Sequence, residues 1–229
     1  MWVNVFVGAL LLGACSKAPE TDNKVFSFSG STMGTVYAVK IVTAGRVDIA
    51  RLEEAGLQQT VSRELEKLNR IFSTYDPTSE LSRLNSKQTL QALPISAQLA
   101  SVLNVAQDVS RLSNGAFDVT IGPLVNLWGF GPNLRPNFEE IEAQLSTVMP
   151  LVGNQHYRIN AGSSQIEKSK PGLSLDLSGL AKGYAVDVVF ELLQQQGISE
   201  LLVEIGGEVR AAGRKPNGEP WQIGIEKPV

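Results

Sequence analysis

From residue 25 to residue 42, apolar and polar positions alternate, and β-branched and aromatic side chains are frequent. Period-two patterning of this kind predicts strands, broken here at Gly30-Ser31-Thr32-Met33-Gly34-Thr35. Over 48–74 the period changes. Leu57, Val61, Leu65, Leu68 and Phe72 recur three and four apart, forming one apolar stripe on a helix. Gly56 lies inside that span and is expected to delay the helix start. Ser73-Thr74-Tyr75-Asp76-Pro77 reads as a turn, followed by a short helix over 80–84. Ser96 is the expected N-cap of a third helix, with the stripe Leu99, Val102, Leu103, Ala106, Val109 and Leu112 and a stop at Gly115. Further on, the pattern predicts an amphipathic helix over 138–147 and a hairpin pairing 157–160 with 165–167. An alternating run ends at Ser178-Gly179 and a helix follows over 180–196, stopped by Gly197. Two strands bent at Gly206-Gly207 span 200–214, and a last strand covers 221–227. Strands joined by tight turns and mixed with helices predict an α+β fold, with largely antiparallel strands and packed helices.

The chain of 229 residues is 43% apolar and 19% charged, enough for one well-cored domain. It shows no internal repeat and no interdomain linker. Its net charge is −3, with no concentration of basic residues, which argues against a nucleic-acid partner. The start is set apart. An apolar stretch over 3–12, too short to span a bilayer, ends in Leu12-Gly13-Ala14-Cys15, which resembles a bacterial lipoprotein cleavage box. Residues 1–14 are therefore expected to be a lipoprotein signal peptide and Cys15 the lipidated residue. Polar residues up to 24 would form a tether, and 25–229 the folded domain.

Absences narrow the chemistry. One cysteine and one histidine leave no zinc cluster. No Walker loop occurs, and no Gly-x-Gly-x-x-Gly follows a strand. His156 reads as a solvated surface residue, and no nucleophile motif supports a serine–histidine hydrolase. Four segments remain. The 30–35 turn carries flexible backbone beside Met33, whose polarizable side chain adapts to flat rings, although a plain hairpin turn explains it equally. Tyr75 stands in a turn, facing either a ring or solvent. In the apolar stretch 115–132 the one charge, Asp118, must find donors, whether backbone N–H groups or a ligand. In Ser174-Leu175-Asp176-Leu177-Ser178-Gly179-Leu180-Ala181-Lys182-Gly183, a helix N-terminus, a carboxylate and a lysine converge. That arrangement suits a phosphate-bearing ligand, unless Lys182 simply points into water.

Taken in order, 30–37, 72–85, 113–132, 175–187 and 202–227 with its Gly206-Gly207 bend closely resemble the FAD:protein FMN transferase family, also called the ApbE family. Its members bind FAD and a divalent cation, usually Mg2+. They attach the FMN half through a phosphoester bond to a threonine (or serine) of a target protein, and AMP leaves. Typical targets are membrane redox subunits facing the periplasm, so the resemblance implies an enzyme anchored by its lipid to the inner membrane on that side.

The resemblance also implies that Met33 and Tyr75 lie against the flavin or adenine portion. Ala116, Phe117 and Asp118 would form a wall of the FAD pocket, and Asp176 and Lys182 would contact FAD. The carbonyl of Gly179 would face the metal. It assigns no catalytic residue here. Some relatives carry an acid in place of Lys182. Family members continue well past the pattern of 221–227 with segments that complete the metal site, so this domain is expected to be incomplete at its C-terminus and short of metal ligands and catalytic groups. Two other readings stay open: a lipoprotein that binds FAD without transferring it, and a lipid-tethered scaffold or solute-binding domain whose Gly-rich loops only pack.

Overall fold

A computed structural model describes residues 24–43, 56–132, 138–160, 162 and 164–225. Cys15, the tether and the start of the span expected as helix over 48–74 lie outside the described residues. The strands are β1 (Lys24–Thr32), β2 (Thr35–Thr43), β3 (Leu93–Pro94), β4 (Tyr157–Asn160), β5 (Gln165–Lys168), β6 (Leu201–Ile205) and β7 (Glu208–Ala212). The helices are α1 (Leu57–Phe72), α2 (Glu80–Ser86), α3 (Ala97–Leu112), α4 (Gly122–Leu127), α5 (Phe138–Val148) and α6 (Ser178–Gln195). A four-stranded sheet runs β1-β2-β6-β7 and a three-stranded sheet runs β3-β5-β4, with every pairing antiparallel. The fold is α+β, as the mixed patterning requires.

The core follows from register. Tyr37, Val39 and Ile41 of β2 stand opposite Ile205, Val203 and Leu201 of β6, and all six are buried. Every second residue of both strands therefore points to one face, where α6 packs on β6 and β7 and α1 packs on β1 and α6. The stripe Leu57, Val61, Leu65, Leu68 and Phe72 is buried in full. Gly56, at φ 61°, stands immediately before α1, so the chain turns where side chains would be strained and the helix begins at Leu57. Helix α3 touches α1, α6 and β4 and so links the two sheets. Strand β2 follows β1 through a two-residue turn, Met33-Gly34, with both residues at positive φ. Such turns match the twist of antiparallel strands.

Several expectations are corrected. Leu112 ends α3 but is 81% exposed, and Ser110 is buried in its stead. At 3.6 residues per turn, position 112 lies roughly 140° round the helix from Leu99, off the buried arc. Val109 is only half-buried. Helix α6 begins at Ser178, two residues before expectation, and the run 173–177 that precedes it belongs to no helix and joins no sheet. The stretch 115–132 contains an unforeseen 3-10 turn (Val119–Ile121) and α4. Residues 221–225 form no strand, and 226–227 lie outside the described residues. Alternation gives a segment two faces, but a strand also needs a neighbour to pair with. After the lone Arg214–Pro220 bridge this segment is held by the Trp221 indole N–H donating to Ala212 O (2.8 Å), and Ile223 and Ile225 are exposed.

Lys168 has no signature in the pattern, yet it is 3% exposed at the end of β5. Its ammonium donates to Leu84 O (2.7 Å), Lys87 O (3.0 Å) and Leu173 O (3.3 Å), joining the C-terminus of α2 to the run 173–177. Burial lowers its pKa to about 8. Between that value and the unfolded lysine value near 10.4, the unfolded chain binds more protons than the folded one, so this residue's contribution to stability rises with pH across that window. We predict that the unfolding free energy of the wild type gains on that of Lys168→Met by on the order of 2–3 kcal/mol between pH 7.5 and 10.5. Parallel urea titrations at each pH check this; a constant difference would refute it.

Candidate functional site

The site is built around the run 173–177, which alternates buried and half-buried residues. Leu173, Leu175 and Leu177 are fully buried, and the alternation turns Ser174 and Asp176 to the other side, where both line a cavity. Among the described residues no strand pairs with this run, so side chains and single backbone groups from other segments satisfy its backbone. Asn85, at the end of α2, donates through Nδ2 to Leu175 O and accepts from Leu175 N through Oδ1, both at 2.8 Å. Asp176 N donates to Val119 O (2.8 Å), and Lys168 takes Leu173 O. Gly122 packs so closely that a Cβ there would sit 2.7 Å from Ser174 O. The Asp176 carboxylate then accepts from Ser178 N (2.8 Å), capping α6 from two residues back, and Lys182 follows one turn along the helix.

A serine network fixes the turn that carries Tyr75. Ser73 Oγ accepts from Tyr75 N (3.1 Å) and Asp76 N (3.0 Å), while the hydroxyls of Ser79 and Ser82 donate to Ser73 O. Asp76 Oδ1 accepts from the hydroxyl and the N–H of Thr78, chiefly the former, which holds its carboxyl below the usual range. The backbone of Tyr75 is therefore set, while the residue as a whole is 65% exposed and its hydroxyl donates to Phe130 O (2.7 Å).

Two cavities flank Tyr75. The larger, about 710 Å³, is lined by Met33, Asn69, Phe72, Ser178 and Lys182 among others. The smaller, about 320 Å³, is lined by Asn85, Gly122, Asn126, Ser174 and Asp176 among others. Thr74 and Tyr75 line both. Both volumes fall in the ~300–1,000 Å³ range of small-molecule sites.

Of the residues singled out from the sequence, Met33, Tyr75 and Lys182 meet at the larger cavity, and Tyr75 and Asp176 at the smaller. Phe117 packs against the start of α6, where a Cβ on Gly179 would stand 3.3 Å from its ring. Ala116, Phe117, Asp118 and Gly179 are not in the lining of either cavity. Asp118 Oδ1 accepts from Thr120 N (2.8 Å) and Thr120 Oγ1 (2.7 Å), and Thr120 Oγ1 accepts from Gly153 N (2.7 Å). The lone acid of the apolar stretch thus caps a 3-10 turn. Gly179 is the second residue of α6, so its carbonyl is directed along the helix as any helical carbonyl is. Among the described residues no group of three or more His, Cys, Asp or Glu side chains could hold a metal ion. Magnesium takes about six oxygen ligands, and one helical carbonyl does not make a site for it. His156 is half-buried beside Ser169 Oγ (3.2 Å), where burial lowers its pKa, and it lines neither cavity.

The family described as ApbE family matches residues 33–229. The chain belongs to the ApbE family. It is 40% identical over 227 residues to the FAD:protein FMN transferase of Vibrio cholerae, covering 99% of this chain and 65% of the relative. It is 42% identical over 224 residues to that of Haemophilus influenzae, covering 96% and 63%. The solved flavin transferase ApbE of Vibrio cholerae superposes with a TM-score of 0.83 at 41% identity, covering 90% of this chain and 65% of that one. The apo flavinyl transferase ApbE of Pseudomonas stutzeri gives 0.77 at 37% identity, covering 89% and 66%. The chain thus spans about two thirds of the length of these relatives, somewhat less for the curated ones.

Asn85, Thr74 and Asn126 were not foreseen as site residues; a single polar residue beside a helix end or turn carries no periodic signal. We predict that Asn85→Ala, which leaves both buried polar groups of Leu175 unpaired, costs about 2–4 kcal/mol of stability in urea unfolding. An unchanged midpoint would contradict the bridge. Asp118→Ala should cost about 1–2 kcal/mol through loss of the cap. Lower FAD affinity at unaltered stability would instead place its carboxylate on the ligand.

Proposed function

We propose that this chain binds FAD and forms part of a flavin transferase, which moves the FMN moiety of FAD onto a threonine (or serine) of a target protein and releases AMP. The observation that carries this reading is the pair of cavities meeting at Tyr75, with Lys182 at one and Asp176 at the other. FAD has two ring systems joined by a diphosphate, and two adjoining lobes with a cation at the rim suit such a molecule. Met33 and the Tyr75 ring offer polarizable and aromatic surface for a flat ring. The Lys182 ammonium offers positive charge to phosphate oxygens. Asp176 has one oxygen committed to Ser178 N, and the carboxylate has further capacity to accept from a ligand hydroxyl or amide.

In the reaction, a hydroxyl oxygen of the target attacks the phosphorus of the FMN half. The bond from that phosphorus to the bridging oxygen breaks, the bridging oxygen leaves with AMP, and the hydroxyl proton is given up. These residues bind and orient the dinucleotide, and positioning supplies much of the rate in phosphoryl transfer. Magnesium dependence is part of the proposal on the family resemblance alone, since the described residues do not build its site. A lipid anchor on Cys15, a position facing the periplasm on the inner membrane, and a membrane redox subunit as target belong to the same reading.

Titration of the chain with FAD should quench flavin fluorescence saturably, and Asp176→Ala should weaken binding by about 1–3 kcal/mol. No saturable binding by the folded chain overturns the assignment. Incubation with FAD, Mg2+ and an acceptor protein, followed by in-gel flavin fluorescence, separates transfer from binding alone: a fluorescent acceptor band that disappears on changing the acceptor threonine to alanine supports transfer.

A further inference from the structure

We propose that Glu208 is a positioning residue of this site: it sets where the Lys182 ammonium stands at the rim of the larger cavity, and so where an anionic group of the ligand is received. The inference rests on the dinucleotide reading above. Glu208 opens β7 immediately after the Gly206-Gly207 turn. Its Oε1 lies 3.0 Å from Lys182 Nζ, and among the described residues it is the one carboxylate paired with that ammonium. Gly206 O accepts from the same Nζ at a longer 3.4 Å. The lysine stem passes over the turn itself: a Cβ on Gly206 would stand 3.3 Å from Lys182 Cδ and 2.8 Å from Thr35 Cγ2. Turn, carbonyl and carboxylate thus hold one lysine that lines the larger cavity together with Met33, Tyr75 and Ser178.

Two considerations separate this role from a structural one. A partly exposed ion pair contributes little to stability, about 0–1 kcal/mol, so the fold gains little from it. The second oxygen of Glu208, Oε2, is buried without a hydrogen-bond partner among the described residues, an arrangement that costs stability. Among the described residues the carboxylate therefore braces nothing besides Lys182. Lysine has four rotatable side-chain bonds, and ordering them at the moment of binding would be charged against affinity. Glu208 orders them beforehand.

The test is a double-mutant cycle on the 229-residue chain, read as FAD affinity by fluorescence titration, with thermal melts to confirm folding. Glu208→Ala should weaken FAD and ADP binding about 3–10-fold. Glu208→Gln, which keeps an acceptor for the ammonium, should restore affinity to the wild-type value or better. In a Lys182→Met background, Glu208→Ala should have no further effect. Equal affinity of wild type and Glu208→Ala, failure of Glu208→Gln to rescue, or additive losses with Lys182→Met would each overturn the role of Glu208. If Glu208→Ala does not fold, Glu208→Asp, whose carboxylate stops one methylene short of the ammonium that now lies 3.0 Å from Oε1, takes its place: a loss of affinity that vanishes in Lys182→Met supports the proposal, and no loss, or a loss that survives in Lys182→Met, refutes it. A folded wild type that binds neither FAD nor ADP overturns the dinucleotide reading and this inference together, whereas binding that is indifferent to Glu208 overturns only the latter.

Discussion

The site depends on how residues 173–177 are held. A segment outside any sheet, with buried leucines, carries backbone N–H and C=O groups into the interior, and among the described residues no strand adjoins it to receive them. Such groups cost free energy unless paired. Asn85, Lys168 and Val119 supply the partners from three separate elements. Their bonds fix the segment in one register, which sends three leucines into the core and Ser174 and Asp176 toward a cavity. Everything downstream inherits that register, including the start of α6 and the placement of Lys182 one turn later.

The stability of the core and the precision of the site come from different interactions. The core rests on area removed from water, which is non-directional and tolerant of small shifts. It gathers β2, β6, α1, α3 and α6 into one body. The site is directional: Asn85 bridging Leu175, the serines around residue 73, the Asp118–Thr120–Gly153 chain and the Lys182–Glu208 pair each fix one loop at one angle. The Arg210 guanidinium adds a surface clamp, pairing with Asp187 (2.7 Å) and Glu191 (3.3 Å) and lying 4.3 Å over the Phe190 ring, which keeps β7 against α6 near the Glu208 turn.

What was legible in the sequence follows the same division. Leu57 to Phe72, the 157–168 hairpin and the Gly206-Gly207 bend announced themselves because periodic burial and turn residues are local. Where periodicity was pushed past the buried arc, at Leu112, or taken for a strand without a partner, at 221–225, it misled. Asn85 and Leu175 are 90 residues apart, and Lys168 reaches Leu84 across 84. Neither pairing leaves a trace in local pattern, and a buried lysine reads as a surface residue until the fold surrounds it. Met33, Tyr75, Asp176 and Lys182, which resemblance and local chemistry together single out, line the two cavities that share Tyr75. Asp118 was marked for the right physical reason, an isolated charge needing donors, and Thr120 supplies them.

One wall common to two chambers has a thermodynamic corollary. Thr74 and Tyr75 face both lobes, so an occupant that shifts the tyrosine ring in one alters the shape offered by the other. Occupancies coupled in this way obey reciprocity: whatever factor the first guest applies to the second, the second returns to the first. A tethered pair of rings would exploit that coupling within a single molecule, whereas two unlinked fragments would each have to meet the entropy of arrival alone.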